Sequence, residues 1–329
     1  MNLPKLLILV SLLLFGMIGV VALFKKGATS SPATVYVQEP LEIEFDQNMQ
    51  TVVPATLSPT PHSSSEKGNV IAEINLPDAN RIDELFNKND PKLPIVETIT
   101  YKSHVPWQKG RPAWLSDYAS HYNTSRHFIA RSLNGKADYL KQEIAEGDKF
   151  NILRKDLNFE FYLVIDTSRC RMWFYYNDLD ANKKVLLKTY QVGLGRIDAS
   201  KTSGLLTPLG HYSLGNRVAI FKPKVMGTYQ SKKVEMMTVF GTRWIPFEKE
   251  ISNCTAPAKG FGIHGTPWGL NPQGVLVDTT EGIRKYDSDG CIRLATQDIE
   301  ELFAIIISRP TTIEIVRDFS ESSLADITH

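Results

Sequence analysis

Hydrophobic and polar positions divide the chain into stretches of different rhythm. Leu6–Phe24 is an apolar run broken only by Ser11, Gly16 and Gly19. At about 1.5 Å of rise per residue, a helix of this length matches the core of a bilayer. Lys5 precedes the run and Lys25-Lys26 follow it, and no Ala-x-Ala lies close behind. The pattern predicts an uncleaved membrane helix rather than a signal peptide. From Gly27 to about Asn69 the period is lost and Ser, Thr and Pro dominate, as in a semi-extended tether. Val35–Phe45 alternates only weakly. Ile82, Leu85 and Phe86 fall on one side of a short helix expected within Asp78–Asn89.

Regular periods return after residue 96. Thr98–Val105 reads as a strand, Ala113–Tyr122 as a helix, Ser125–Leu133 as a helix with Ser125 as N-cap, and Lys149–Leu153 as a closing strand. Phe159–Asp166, Met172–Tyr176, Val185–Val192, Gly210–Gly215 and Thr238–Phe247 are rich in β-branched and aromatic residues and predict strands. Gly193-Leu194-Gly195 reads as a strand end, because no third glycine and no helix follow it. Phe221–Val234 is polar and basic and reads as a loop over a cleft. Thr296 is the expected N-cap of a last helix with Asp298, Glu300 and Glu301 near its start and an apolar stripe of Ile299, Leu302, Phe303, Ile306 and Ile307. Pro310 ends it and Thr311–Arg317 is a final strand. Many strands with one terminal helix predict a mainly β, sandwich-like domain.

Composition changes this picture little. The 329 residues carry a net charge of +1, which gives no reason to expect a nucleic-acid partner. Three cysteines are too few for a disulfide scaffold or a thiolate zinc site. In an exported chain Cys170 and Cys254 could pair and leave Cys291 free, or both could stay reduced. His104, His121 and His127 read as surface residues without metal-ligand spacing, and His62 as an exposed residue of the tether.

The candidate chemistry sits in Ser288-Asp289-Gly290-Cys291-Ile292-Arg293. A thiol needs a base or a positive field to become a nucleophile. His264, in Ile263-His264-Gly265-Thr266, is the candidate base. Gly290 permits a tight turn that points N–H groups at a developing oxyanion. Arg293, two residues on, shares a strand face with Cys291 and offers a fixed cation.

These two segments resemble the L,D-transpeptidase (YkuD-like) catalytic domain, whose members carry His-Gly-Thr and then Ser-His-Gly-Cys-(Ile/Val)-(Arg/Asn). Thr207-Pro208-Leu209-Gly210-His211-Tyr212 resembles that family's Thr-Pro-x-Gly-x-Phe/Tyr strand start, and Gly241-Thr242-Arg243-Trp244-Ile245 its aromatic strand before the histidine. The resemblance covers roughly residues 159–318. It implies a β-sandwich with one C-terminal helix, Cys291 as nucleophile, His264 as base, and an oxyanion hole from the backbone of Asp289, Gly290 and Cys291. Beside them, Arg293 reads as positioning substrate or the loop, Trp268 as lining the cleft or packing, and Ser288 as a turn hydroxyl or a substrate contact; no metal or cofactor is implied. The partners implied are peptidoglycan stem peptides and glycan strands, in the bacterial cell envelope outside the cytoplasmic membrane. The implied reaction is acyl transfer from a tetrapeptide stem to an amine; hydrolysis of the same bond by a cysteine hydrolase, or non-catalytic peptidoglycan binding, stays open. Two departures stand out. Asp289 replaces the usual second histidine, where it either orients His264 or points away, and Pro272–Thr280 lengthens the stretch between the two segments.

Upstream, Ala119-Ser120-His121-Tyr122-Asn123, Ile129, Leu133-Asn134 and Glu146-Gly147-Asp148-Lys149-Phe150 in β-α-α-β order resemble a LysM module, with Lys109-Gly110-Arg111 in place of its opening Gly-Asp-Thr-Leu. The expected organisation is an anchor (1–26), a linker (27–96), a LysM-like α+β module (97–154), a catalytic domain (159–318) and a tail (319–329).

Overall fold

Alternation along two strands organises the catalytic part. Phe161, Leu163 and Ile165 point to one face of the sheet and meet Met172, Phe174 and Tyr176. Tyr162 and Val164 point to the other, with Trp173 and Tyr175. Both faces are covered, so these strands read as continuous apolar runs rather than as alternating ones. The structure, a computed structural model, describes residues 76–139 and 141–325. The expected membrane run Leu6–Phe24, most of the 27–96 linker with Val35–Phe45, and the last four residues of the tail lie outside the described residues. Among the described residues no helix is long and apolar enough to cross a membrane.

The first part contains α1 (Asp83–Phe86), β1 (Val96–Thr100), α2 (Leu115–His121), α3 (Arg126–Asn134) and β2 (Lys149–Leu153). Then come β3 (Phe159–Asp166), β4 (Arg171–Asp178), β5 (Lys183–Gln191), β6 (Leu194–Gly195) and β7 (Gly210–Leu214). They are followed by β8 (Ala219–Ile220), β9 (Met226–Tyr229), β10 (Lys232–Glu235), the single turn α4 (Met237–Phe240) and β11 (Arg243–Ser252). The chain ends through β12 (Gly262–Gly265), β13 (Gly269–Leu270), β14 (Leu276–Val277), β15 (Tyr286–Ser288), β16 (Ile292–Leu294), α5 (Thr296–Ile306) and β17 (Thr311–Val316).

The molecule is mainly β. Its nine-stranded sheet runs β16-β12-β11-β7-β17-β3-β4-β5, with β8 added at β11. β11 serves two neighbours in succession: Trp244–Pro246 pair with β12, and from Phe247 onward the strand pairs with β7. That hand-over carries one sheet from the main core to the site. α5 buries Ile299, Leu302, Phe303 and Ile306 in that core, as its stripe predicted. Its N-cap is Ala295 and not Thr296. The Thr296 hydroxyl donates instead to Asp278 and accepts from the Trp268 indole, so a tertiary contact has taken the capping group.

The β-α-α-β order of the first part is present, with β1 antiparallel to β2 and Ser125 accepting from the His127 N–H as a helix cap. Tyr101, Leu115, Tyr118, Ile129, Phe150 and Ile152 form its own core. Its opposite side joins the main core through Leu85, Leu93, Ile95, Phe128 and Leu153. His127 is therefore buried rather than on the surface: its ring meets Phe303 of α5 at 5.8 Å, and Nδ1 lies 3.3 Å from Asp138. Burial also lowers its pKa. Beside it Arg243, at the head of β11, is 2% exposed. The guanidinium donates to Asp138 at 2.5 Å, lies 3.6 Å from Glu300, and sits over the Phe303 ring.

Asp138→Ala removes the acceptor while the guanidinium stays buried. Urea denaturation is expected to show a loss of about 3 kcal/mol, the scale of stranding a buried charge. A loss under about 0.5 kcal/mol would mean that Glu300 and Phe303 hold Arg243 unaided.

Candidate active site

The parallel ladder between β12 and β16 brings the two motif segments together. Ile263 pairs with Ile292, His264 with Arg293 and Gly265 with Leu294. Ile263, Ile292 and Leu294 point into the main core. By the period of two, His264 and Arg293 face the other way. Cys291, one residue before β16, lies level with Gly262 and receives a backbone hydrogen bond from it. Its thiol donates to the Gly260 carbonyl at 3.7 Å. Cys291 belongs to a separate apolar cluster with Phe221, Met236, Met237, Phe240 and Trp244. The His264 ring packs against two of the same residues, 5.3 Å from Phe240 and 6.0 Å from Trp244. Imidazole and thiol thus pack against the same aromatic cluster.

A short-range bond sets the state of the histidine. His264 Nδ1 lies 2.7 Å from the Gly265 carbonyl, which can only accept. The ring proton is therefore on Nδ1, and Nε2 keeps the lone pair a general base needs. Burial, and after it the Arg293 cation, push His264 down to about 3. Burial pushes the Cys291 thiol up to about 12, with the Gly262 hydrogen bond and Arg293 pulling down and Asp289 pushing up. The resting pair is neutral thiol and neutral imidazole.

The Cys291 loop is braced from below. Gly290 has φ +118°, and a Cβ there would come within 2.6 Å of the Phe261 ring and 2.9 Å of the Leu206 carbonyl oxygen. Thr207 Oγ1 donates to the Gly290 carbonyl at 2.9 Å and accepts from the Gly195 N–H at 2.7 Å. Gly195 in turn approaches Gly290 closely enough that a Cβ would lie 2.9 Å from its Cα. The Gly-x-Gly that reads as a strand end is thus the floor of the Cys291 loop, where β6 pairs with β15.

Ser288 is 1% exposed; its hydroxyl donates to the Cys291 carbonyl and accepts from the Gly290 N–H. It holds the loop in shape and does not face a cleft. Because the Gly290 N–H is engaged there, the N–H groups of Asp289 and Cys291 are the remaining oxyanion candidates. Arg293 pairs with Asp287 at 2.7 Å and acts on the site through its field. Trp268 is half-buried beside the aromatic cluster.

Asp289 does not orient His264. Its carboxylate meets Arg196 at 2.8 Å and accepts from the Tyr229 hydroxyl at 2.9 Å. Tyr229 ends β9, so Phe221–Val234 is not an open loop: β9 and β10 form an antiparallel hairpin. Tyr229, Val234 and Met236 pack it against the cluster that holds Cys291. Under it Cys291 is 9% and His264 4% exposed. Sequence reasoning did not pick out Arg196 or Tyr229, and it read Thr207 only as part of a strand start; the glycines before Arg196 and the expected loop Phe221–Val234 were the available hints. The added stretch Pro272–Thr280 carries β14, which folds back to pair with β13 just before it. Cys170, Cys254 and Cys291 are all unpaired, so no Cys170–Cys254 bridge forms.

A thiol held up to about 12 reacts only through its rare thiolate. Alkylation of Cys291 by iodoacetamide is therefore expected to rise about tenfold per pH unit from pH 7 to 10. Peptide mass spectrometry separates Cys291 from the other two cysteines. A rate already flat near pH 6–7 would instead reveal a standing thiolate–imidazolium pair.

No curated protein matches the chain in sequence. Residues 160–315 match the family model of the YkuD L,D-transpeptidase catalytic domain. Among solved structures, Bd1075 of Bdellovibrio bacteriovorus is similar at 15% identity and a TM-score of 0.34, over 50% of each chain. The helical cell shape determining protein Pgp2 of Campylobacter jejuni is similar at 17% identity and a TM-score of 0.33, over 49% of each chain. L,D-transpeptidase 1 of Mycobacterium tuberculosis is similar at 16% identity and a TM-score of 0.24, over 53% of this chain and 67% of that one. The chain thus spans about half the length of the first two. With the family motifs held on adjacent strands, residues 160–315 form an L,D-transpeptidase catalytic domain of the YkuD family.

Proposed function

We propose that this domain carries out acyl transfer on peptidoglycan stem peptides, with Cys291 as nucleophile and His264 as base. The observation that carries this reading is the β12–β16 ladder, which turns an imidazole with a bare Nε2 and a thiol toward one pocket. The Cys291 sulfur attacks the carbonyl of the L-to-D peptide bond of a tetrapeptide stem. His264 takes the thiol proton and returns it to the leaving D-alanine amine. The N–H groups of Asp289 and Cys291 hold the tetrahedral oxyanion, each worth a few kcal/mol by the usual scale of such donors. A thioester remains, and the side-chain amine of a second stem resolves it into a 3→3 cross-link. Water as acceptor makes the same protein an L,D-carboxypeptidase.

The neutral resting pair fits a site that is charged only when substrate lifts the β9–β10 hairpin and fills the pocket. Proton transfer then occurs between groups already excluded from water. The β-α-α-β module, read as LysM-like, would hold glycan strands, and Leu6–Phe24 would anchor the chain with this domain on the outer side of the cytoplasmic membrane, in the periplasm. Burial of both reacting groups favours one second reading, a wall-binding protein with a silent site.

Incubating the full chain with tetrapeptide muropeptides and reading products by mass spectrometry decides among these. Cross-linked dimers with free D-alanine are expected, tripeptides alone mean hydrolase, and unchanged muropeptides with retained glycan binding mean binder. Cys291→Ala is expected to abolish release of D-alanine, and His264→Ala to slow it by about 10²–10⁴-fold. Full activity in Cys291→Ala would end the proposal.

A further inference from the structure

The carboxylate beside the nucleophile works against acylation. The charge of Asp289 pushes the Cys291 thiol up. It takes no part in orienting His264, whose Nδ1 is held by Gly265. What Asp289 faces is Arg196 and the β9–β10 hairpin over Cys291. One of its oxygens, Oδ1, pairs with Arg196 at 2.8 Å, in a contact whose side chains are 40% and 57% exposed. The other, Oδ2, accepts from the Tyr229 hydroxyl at 2.9 Å and from the Gln230 amide at 3.4 Å, both on the hairpin. An ion pair this exposed is screened by water and contributes little, so another cation can replace Arg196 at little cost. Arg293 does not compete for the same place, because its guanidinium is 17% exposed and committed to Asp287. Lifting the hairpin withdraws the two Oδ2 donors and leaves a carboxylate one residue from the acylated sulfur.

We propose that Asp289 is the acceptor subsite: at the thioester stage its carboxylate receives the ammonium group of the incoming amine in place of Arg196. The inference rests on the acyl-transfer reading above and adds the place at which the acceptor amine docks in its cationic form. The docked ammonium loses one proton to water. The amine nitrogen then attacks the thioester carbonyl, a C–N bond forms, and the C–S bond breaks with its electron pair passing to Cys291 Sγ. The second amine proton travels through His264 Nε2 to that sulfur and restores the thiol. A side chain that hinders the first half-reaction thereby serves the second, by raising the local concentration of amine over water.

The test is a partition ratio, read on the full chain with a tetrapeptide stem as donor and a tripeptide stem carrying a free diamino-acid amine as acceptor. Mass spectrometry gives cross-linked over hydrolysed product at sub-saturating acceptor. Asp289→Asn is expected to lower this ratio roughly tenfold, and Arg196→Ala, which removes the internal competitor, to raise it about threefold. Opposite signs from two partners of one ion pair are not what loss of a structural contact produces. A ratio unmoved by Asp289→Asn, or lowered alike by both substitutions, overturns the inference. Release of D-alanine without cross-links at any acceptor concentration overturns it too, while leaving the donor chemistry intact. Failure of the wild-type chain to release D-alanine at all overturns the proposed function and the subsite together.

Discussion

Three residue pairs between β12 and β16 carry the site. Parallel pairing is slanted and cannot be closed by a tight turn, so it needs a long connection. Here that connection holds β13, then the Pro272–Thr280 stretch with β14, and then β15. The ladder is held by what lies on its far face. Ile263, Ile292 and Leu294 are each 0% exposed, and α5 packs over them. A one-residue slip would exchange that face for the one bearing His264 and Arg293. Apolar burial on one side thereby fixes the chemistry on the other.

The same burial sets the electrostatics. Placing a thiol and an imidazole among Phe240, Trp244 and Met236 removes solvent from both, and each moves toward its neutral form. Arg293 cannot serve both partners at once. Its field favours thiolate and disfavours imidazolium, while Asp287 tempers it from outside. The site is therefore poised rather than charged, and the hairpin that covers it is held to Asp289 by Tyr229.

Much of this was legible in the sequence, and the limits are physical. β3, β4 and α5 were readable because their periods are long and their faces apolar. Cys291 and His264 stood out because the residue types around them, Gly290 and Gly265 above all, suit only a narrow set of backbones. The β9–β10 hairpin was not readable. Its two-residue turn is Gln230-Ser231 at φ +47° and +61°, where Asn-Gly would be the familiar signal. His127 was misread because its burial comes from Phe303, far along the chain. Arg196 and Tyr229 were silent because an exposed arginine and a strand-end tyrosine acquire meaning only beside Asp289. Thr296 looked like a cap by type and position, but Asp278 and Trp268 claim its hydroxyl.

The shared core of the first part and the catalytic sheet bears on where this protein can be divided. Leu85, Leu93, Ile95, Phe128 and Leu153 lie on one side of a seam whose other side is Phe159, Phe161 and α5. Cutting at residue 160, where the family match begins, would strip an oily flank and strand Arg243 without Asp138. The boundary that the family match draws thus runs through one continuous apolar core, with part of its packing supplied from well upstream.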